Sequence, residues 1–363
     1  MASVNMDRVD KVLNALEEAH PGAQLLVNDA WSIYYLTGFY ADMYERFSGL
    51  LLQRGRTPVF FDNELYPIEA YDNAEVVMFT DNDDVTSLLM GHIDPSRPLG
   101  VDASMRSGFL VPLQKRGAAS NFFLGSYAVT AARTYKDAGE KYLMRESSRK
   151  NDAVMAVMRA AVHEGVTEEE LERVLAKAYK DQGCSGYSFE PIISFGSHAA
   201  DPHHAPDGTV LRPGQVVLFD IGGRYKGYCS DMTRVFFWGE PDEESRRVYD
   251  VVREANERAE AIIRPGMRFC DIDKTARDVI ADAGYGPYFT HRLGHSIGLQ
   301  DHEPNDVSAV NTNVVEPGMT FSIEPGVYLP GRTGVRIEDL VLVTDDGVEV
   351  LNSFSKEPER LDL

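Results

Sequence analysis

The sequence predicts an α+β protein in two domains, a smaller α/β domain over residues 1–132 and a larger one over 133–363. Three observations carry this prediction. Short apolar runs alternate with helix-like stretches to about residue 130, a polar segment follows, and the rest of the chain contains an internal repeat. In that repeat LRPGQVVLFDIGG, continuing to YCSDMTRVFF, resembles VEPGMTFSIEPGV, continuing to GVRIEDLVLV. Gly214 and Gly318 lie 104 residues apart, as do Asp220 and Glu324, while Asp231 and Glu338 lie 107 apart. The difference is a three-residue insertion in the turn between them. Upstream, EGVTEEELERVLAKAYKDQGC echoes PGMRFCDIDKTARDVIADAGY. The larger domain is therefore expected to be two similar helix-plus-strand units facing one another.

The first domain opens on Val9, Val12, Leu13 and Leu16, whose spacing predicts an amphipathic helix. The runs AQLLV, SIYYLTGFY, GLLLQ, PVFF and EVVMF follow, separated by Asp- and Gly-containing turns. The aromatic run reads as core, with tyrosines that could line a pocket. His20 and His92 are isolated and read as surface or packing residues. Ala131 to Gly139 is polar and reads as the linker. Beyond it a long helix is expected to carry Val154, Val157, Met158 and Ala161 on one face. Thr167 with Glu170 is a capping-box pattern that opens a helix bearing Leu171, Val174, Leu175 and Ala178.

Composition narrows the function. At 363 residues the chain can bury two cores, and 43% hydrophobic with 26% charged residues is a soluble, folded balance. Lys and Arg number 36 against 57 Asp and Glu, a net charge of −21. That lacks the basic footprint of a nucleic-acid binder and is unsuited to an anionic membrane surface. Cys184, Cys229 and Cys270 are odd in number and widely spaced, which points to a reducing cytoplasm. The N-terminal stretch has no signal-peptide apolar run, and no segment approaches the ~18–20 apolar residues of a membrane span. A cytoplasmic location is expected.

The chemistry sits in the repeat. Asp220 lies within the apolar run VVLFDI, where a bare carboxylate is costly, and Asp231 follows eleven residues later. Their midpoint, Tyr225–Lys226, falls inside the turn-rich segment Gly222 to Gly227, so the two are expected to face each other across a hairpin. Carboxylates that close repel unless they share a proton or bind a cation. Glu324 and Glu338 are placed in the same way about Gly331. Between the hairpins, HRLGHSIGLQDHEP carries His291, His295 and His302. Gly294 and Gly298 disfavour a helix there, but on a strand His291 and His295 also point to one face. His203 and His204 add a further pair. Any one of these residues alone is an ordinary surface acid or packed histidine; the set, with Asp220 and Glu324 at equivalent repeat positions, is not. Four carboxylates with imidazole suit two divalent ions that activate water and polarise a carbonyl.

The series Asp220, Asp231, His295, Glu324, Glu338, in the strings FDIGG, SDMTR, HRLGHSIGLQDHE, SIEPG and GVRIED, resembles the five metal ligands of the pita-bread metallopeptidases. The resemblance is closest to their proline-specific branch, the Xaa-Pro dipeptidases (prolidases) and aminopeptidase P. It covers the chain strongly from about residue 140 to the end, and NDAWSIYYLTGFY is more weakly similar to the creatinase-like N-terminal domain of that branch.

The resemblance implies a pita-bread domain with a pseudo-twofold repeat, a curved antiparallel sheet backed by helices, behind a three-layer α/β domain. It implies two divalent ions per subunit, manganese before cobalt or zinc, holding a hydroxide that cuts the bond before proline. Asp220 would chelate one ion and His295 the other, with Asp231 and Glu338 bridging. Glu324 would bind metal and shuttle the proton. His203 and His302 would steady the carbonyl and tetrahedral intermediate, His291 would line the proline side, and Arg336 would orient the site. His204 competes with His203 for its role. The partner is a small peptide with proline second, and a homodimer is expected, with no nucleic acid and no membrane. Dipeptidase and aminopeptidase P both remain open, the dipeptidase being favoured.

Other readings fit less well. Methionine aminopeptidase shares the ligands but usually lacks such an N-terminal domain, creatinase-type enzymes lack the carboxylate set, and a peptide-binding relative would normally have lost ligands. Two departures from the pattern, Ser296 for Gly and Gln300 for an acid, are expected to touch no ligand and to bear on substrate preference alone.

Overall fold

The computed structural model describes residues 2–66, 68 and 70–361. The chain forms two compact units, Met1–Arg133 and Thr134–Leu363.

In the first unit helix α1 (Met6–Ala19) starts at Asn5, whose side chain accepts the Arg8 N–H. It buries Val9, Val12, Leu13 and Leu16, as their spacing predicts. Strands β1 (Gln24–Val27), β2 (Gly49–Gln53), β3 (Val59–Asn63), β4 (Glu75–Phe79), β5 (Leu99–Val101) and β6 (Phe122–Leu124) form one mixed sheet in the order β4-β3-β2-β1-β5-β6. Leu26, Leu51 and Phe61 pack on one face with Leu89 and Leu113, from α3 (Val85–Met90) and α4 (Ser107–Lys115). Alternate residues such as Leu25, Leu50 and Phe60 are buried on the other face, where α1 meets β2. The result is three layers. The aromatic run becomes helix α2 (Ala30–Thr37): Asp29 accepts the Ser32 N–H at 2.8 Å, and Gly38 at φ 73° ends it. Ile33, Tyr35 and Leu36 are core, while Trp31, Phe39 and Tyr40 line a cavity of ≈ 370 Å³. His20 stacks on Phe123 at 3.8 Å and His92 meets Phe61 edge-on at 5.3 Å, so both pack.

The polar linker is shorter than expected. Helix α5 (Ser126–Thr134) runs into it, and α6 (Ala138–Ala161) begins inside it. Asp137 is the reason: with Glu140 it forms a capping box, which turns a polar stretch into a helix start. The buried face of α6 also differs. Ser147, Asn151, Val154, Met155 and Met158 face inward, whereas Val157 is 43% exposed.

In the second unit α7 (Glu168–Asp181) carries the expected Thr167–Glu170 capping box. Strands β7 (Ile192–Phe195), β8 (Val216–Ile221), β9 (Arg224–Tyr225), β10 (Tyr228–Cys229) and β11 (Met232–Trp238) follow. After helices α8 (Glu243–Ile262) and α9 (Phe269–Asp282) come β12 (Gly294–Ser296), β13 (Glu303–Val307), β14 (Thr320–Ile323), β15 (Gly326–Leu329), β16 (Thr333–Arg336), β17 (Asp339–Val343), β18 (Val348–Val350) and β19 (Glu359–Leu361). Two sheets result, β19-β11-β8-β7 and β13-β12-β14-β17-β18, with hairpins β9–β10 and β15–β16 continuing their central pairs. The pairings are antiparallel except β11 with β19. Helix, strand, hairpin and strand thus recur, as the repeat predicts.

Both faces of β8 are covered, which explains its unbroken apolar run. Leu218 packs with Val252 and Ile272 of α8 and α9, and Phe219 with Met155 and Leu175 of α6 and α7.

Candidate metal centre

Asp220 sits one residue before the end of β8, and β11 begins directly after Asp231. The hairpin between them turns at Lys226–Gly227, whose φ angles of 47° and 86° suit a type I′ turn. The ladder therefore pairs Asp220 with Thr233 and not with Asp231. The expected facing pair is off by two positions, and Asp231 is the diagonal neighbour of Asp220. A shift of two leaves side chains on the same face, so the carboxylates still converge. Gly222 permits the close approach here, since a Cβ on it would stand 2.2 Å from the Ser230 carbonyl oxygen.

The second hairpin keeps the expected register. Ile323 pairs with Asp339 and Gly326 with Arg336, leaving Glu324 and Glu338 opposite one another. The hairpins brace each other: Arg336 donates to Asp220 through Nη2 and to Thr233 Oγ1 through Nε, and Thr233 Oγ1 donates to Glu338 Oε2 at 2.7 Å. His295 comes from β12, where a Cβ on Gly294 would stand 2.0 Å from the Ser322 carbonyl oxygen. His291 precedes β12 in a bend, so no strand places it on a common face with His295.

The cluster is short of positive charge. His295 Nε2 lies 3.3 Å from Glu324 Oε1 and 3.6 Å from Asp231 Oδ2. Burial, with His302 alongside, holds His295 down to about 3, so its ring is neutral at pH 7. Nδ1 faces the Ser296 carbonyl oxygen at 3.3 Å, a place for the ring proton, which leaves the Nε2 lone pair toward two carboxylates. That main-chain contact, indifferent to the Ser296 side chain, corrects the expectation that position 296 touches no ligand. Burial and Glu338 push Asp231 well above the usual carboxylate range. Burial and Glu324 do the same to Glu338, and burial with Asp220 nearby pushes Glu324 up to about 8. Asp220 Oδ1, Asp231 Oδ1 and Glu338 Oε1 are buried without a hydrogen-bond partner. Orphaned oxygens, mutual repulsion and an imidazole lone pair share one remedy, which is cations. The donor set fits divalent ions.

All ten residues singled out from the sequence, His204 among them, line one cavity of ≈ 860 Å³. His302 lies against His295, ring centroids 4.0 Å apart. His291 Nε2 meets the Tyr328 hydroxyl at 2.9 Å, and Arg336 Nη1 donates to the same hydroxyl at 2.8 Å. Glu168, fully buried at the start of α7, separates the two neighbouring histidines. Its Oε1 accepts the Phe195 N–H at 2.8 Å and lies 3.1 Å from His198 Nδ1. Its Oε2 accepts the Asp207 N–H at 3.1 Å and lies 2.7 Å from His204 Nε2. Both histidines line the cavity, but His204 is half-buried and tied back by this carboxylate, whereas His203 is exposed.

Four residues were missed by reading the sequence: Glu168, Tyr328, Arg292 and Asp301. Arg292 lines the cavity with Nη2 3.2 Å from His302 Nδ1. Asp301 lines the cavity beside His302, with its Oδ2 3.4 Å from His302 Nε2. Burial, with Asp220 nearby, pushes its carboxyl up to about 7. The only signal in the sequence was its position next to a candidate histidine.

Comparison with known proteins agrees with this geometry. Residues 142–345 match metallopeptidase family M24, and residues 8–135 match the creatinase/prolidase N-terminal domain. An uncharacterized peptidase of Staphylococcus aureus (strain bovine RF122 / ET3-1) is 34% identical over 362 residues, spanning 97% of this chain and 100% of that protein. The crystal structure of recombinant prolidase from Thermococcus sibiricus matches with a TM-score of 0.92 at 32% identity, over 98% of this chain and 99% of that one. The Xaa-Pro dipeptidase from Bacillus anthracis matches at 0.91 and 29% identity, over 98% and 99%. With a creatinase-type N-terminal domain, a pita-bread domain and a carboxylate–histidine centre that calls for divalent cations, the chain belongs to metallopeptidase family M24.

Proposed function

We propose that the protein is an Xaa-Pro dipeptidase, a prolidase, that hydrolyses the bond preceding proline in dipeptides. The observation that supports it most is the four-carboxylate, one-histidine lining of a cavity of ≈ 860 Å³, with Asp231, His295 and Glu338 buried together at its centre and room for a short peptide. Likeness to a prolidase and an Xaa-Pro dipeptidase over nearly the whole chain supports the same reading. Asp220, Asp231, His295, Glu324 and Glu338 would hold two divalent ions, for which manganese is our candidate because the donors are mostly oxygen. When bound, the ions supply an activated water and polarise the scissile carbonyl.

The chain does the rest. Glu324 accepts the proton of the attacking water and returns it to the leaving proline nitrogen. His203 and His302 hydrogen-bond the carbonyl oxygen as charge develops on it. Arg336 fixes Asp220 and, through Tyr328, the ring of His291 on the proline side. Arg292 lines the cavity with its nearest paired carboxylate oxygen, on Asp306, 3.7 Å away, and so can meet the free carboxylate of a dipeptide. That favours a dipeptidase over aminopeptidase P.

We place the enzyme in the cytoplasm, where the free Cys184, Cys229 and Cys270 would stay reduced. Among the described residues no helix is long and apolar enough to cross a membrane. A homodimer, implied by the family resemblance, is checked by light scattering.

The test is hydrolysis of Ala-Pro, Ala-Pro-Ala and Ala-Ala with added manganese. Ala-Pro alone should be cut. Equal or faster cleavage of Ala-Pro-Ala makes it an aminopeptidase P, and cleavage of Ala-Ala alone ends the proline reading.

A further inference from the structure

We propose that Asp301 makes this centre selective for dipeptides whose first residue carries a cationic side chain, lysine or arginine, an inference that rests on the dipeptidase reading above. Asp301 lines the cavity, and its Oδ1 is buried without a hydrogen-bond partner. Its side chain is 19% exposed, enough to be reached by a bound molecule and too little to be satisfied by bulk water. Asp301 and Arg292 flank His302: Asp301 Oδ2 lies 3.4 Å from Nε2, and Arg292 Nη2 lies 3.2 Å from Nδ1. The ring that faces the scissile carbonyl thus has an acid on one side and a base on the other. A dipeptide with its carboxylate toward Arg292 presents its first residue toward Asp301.

Charge balance points the same way. Seven carboxylates and two arginines line the cavity, Glu172 and Glu190 being the acids outside the centre besides Asp301. Two divalent ions would leave this lining one negative charge in excess with water between them, and two once that water is hydroxide. A dipeptide with a neutral side chain is a zwitterion and leaves that excess in place. A lysine or arginine side chain reduces it, and an acidic one adds to it.

The experiment compares kcat/KM for Lys-Pro, Arg-Pro, Leu-Pro and Glu-Pro in the manganese-loaded wild type, Asp301→Asn and Asp301→Val, with bound metal counted in each. The wild type should prefer Lys-Pro and Arg-Pro to Leu-Pro about tenfold or more, through KM, with Glu-Pro slowest. Asp301→Asn and Asp301→Val should bring the Lys-Pro to Leu-Pro ratio to about one with two ions still bound. A wild-type ratio near one overturns the proposal and leaves the dipeptidase reading intact. An equal loss on every dipeptide with an unchanged ratio assigns Asp301 to the α-ammonium, and loss of an ion assigns it to the metal; either overturns the proposal. If no dipeptide is cut, the dipeptidase reading fails, and competition binding of Lys-Ala against Leu-Ala to the loaded protein still decides the cation preference.

Discussion

Two groups of side chains in the larger unit mix carboxylates with imidazoles, and they differ in what each oxygen meets. Around Glu168 every demand is answered. Two main-chain N–H groups and two histidine nitrogens approach one carboxylate, and Asp207 accepts the Thr209 N–H at 2.7 Å. Around His295 four carboxylate oxygens, on Asp220, Asp231, Asp301 and Glu338, have no partner, and the imidazole nitrogen faces acids. Proximity of acids and histidines is common to both, so it does not mark a metal site. Several unanswered carboxylates converging on one imidazole do.

The largest effect that can break this comparison is on catalysis. Glu324→Gln should lower Ala-Pro turnover by about 10³-fold or more, since it removes the proton carrier. Glu168→Gln should cost only roughly tenfold, by loosening the loop that carries His203. Equal losses in kcat would erase the distinction.

Next comes stability against pH with and without metal. Glu324 has its folded-state pKa raised to about 8 from 4.5. In metal-free protein this carboxyl should therefore contribute roughly 3–5 kcal/mol below about pH 5 that is lost as pH rises through 8. Metal-loaded protein should not show this loss, because the cations stabilise the carboxylate. Melting curves at pH 6 and pH 8, with chelator and with manganese, check it, and parallel pH trends would sink the idea.

Glu168→Gln should be destabilising by about 2–4 kcal/mol in urea unfolding, because an amide nitrogen then faces a buried N–H donor. The same variant should still bind two ions per chain by elemental analysis. A wild type that binds three ions, with the third lost in Glu168→Gln, would turn that cluster into a metal site.

The smallest effect concerns His291, held down to about 4 by burial and Arg336 against an ordinary 6.5. Its neutral ring supports folding above about pH 6.5, and that support is lost as pH falls toward 4, up to about 3 kcal/mol in all. His291→Asn should flatten the acid limb of the stability profile between pH 6.5 and 4. An unchanged slope would show that the ring titrates as in the unfolded chain.

Much of the centre was legible because its signals are local. Asp220 and Glu324 stand out as acids in apolar strands, and the offset between the repeats picks out Asp231 and Glu338. Turn chemistry misled by one position. Glycine at 227 and lysine at 226 both take positive φ, so the hairpin closes one residue later than the midpoint of the two aspartates. The error was harmless to function because pleating repeats every two residues. Asp137 hid a helix start in a polar stretch, and Asp29 with Gly38 made a helix of an aromatic run.

The sequence by itself determined which donors exist, how they are spaced, and that two repeats would carry them toward each other, since those facts follow from residue type and period. Only the tertiary structure decided that Glu168 is satisfied while Asp231 and Glu338 are not, that His204 is tied back while His203 is exposed, and that Asp301 stands across His302 from Arg292. Residue type gives a side chain its capacity for hydrogen bonds and charge. Whether that capacity is met depends on partners distant in sequence, and a buried carboxylate left unmet is what remains for a cation or a substrate to fill.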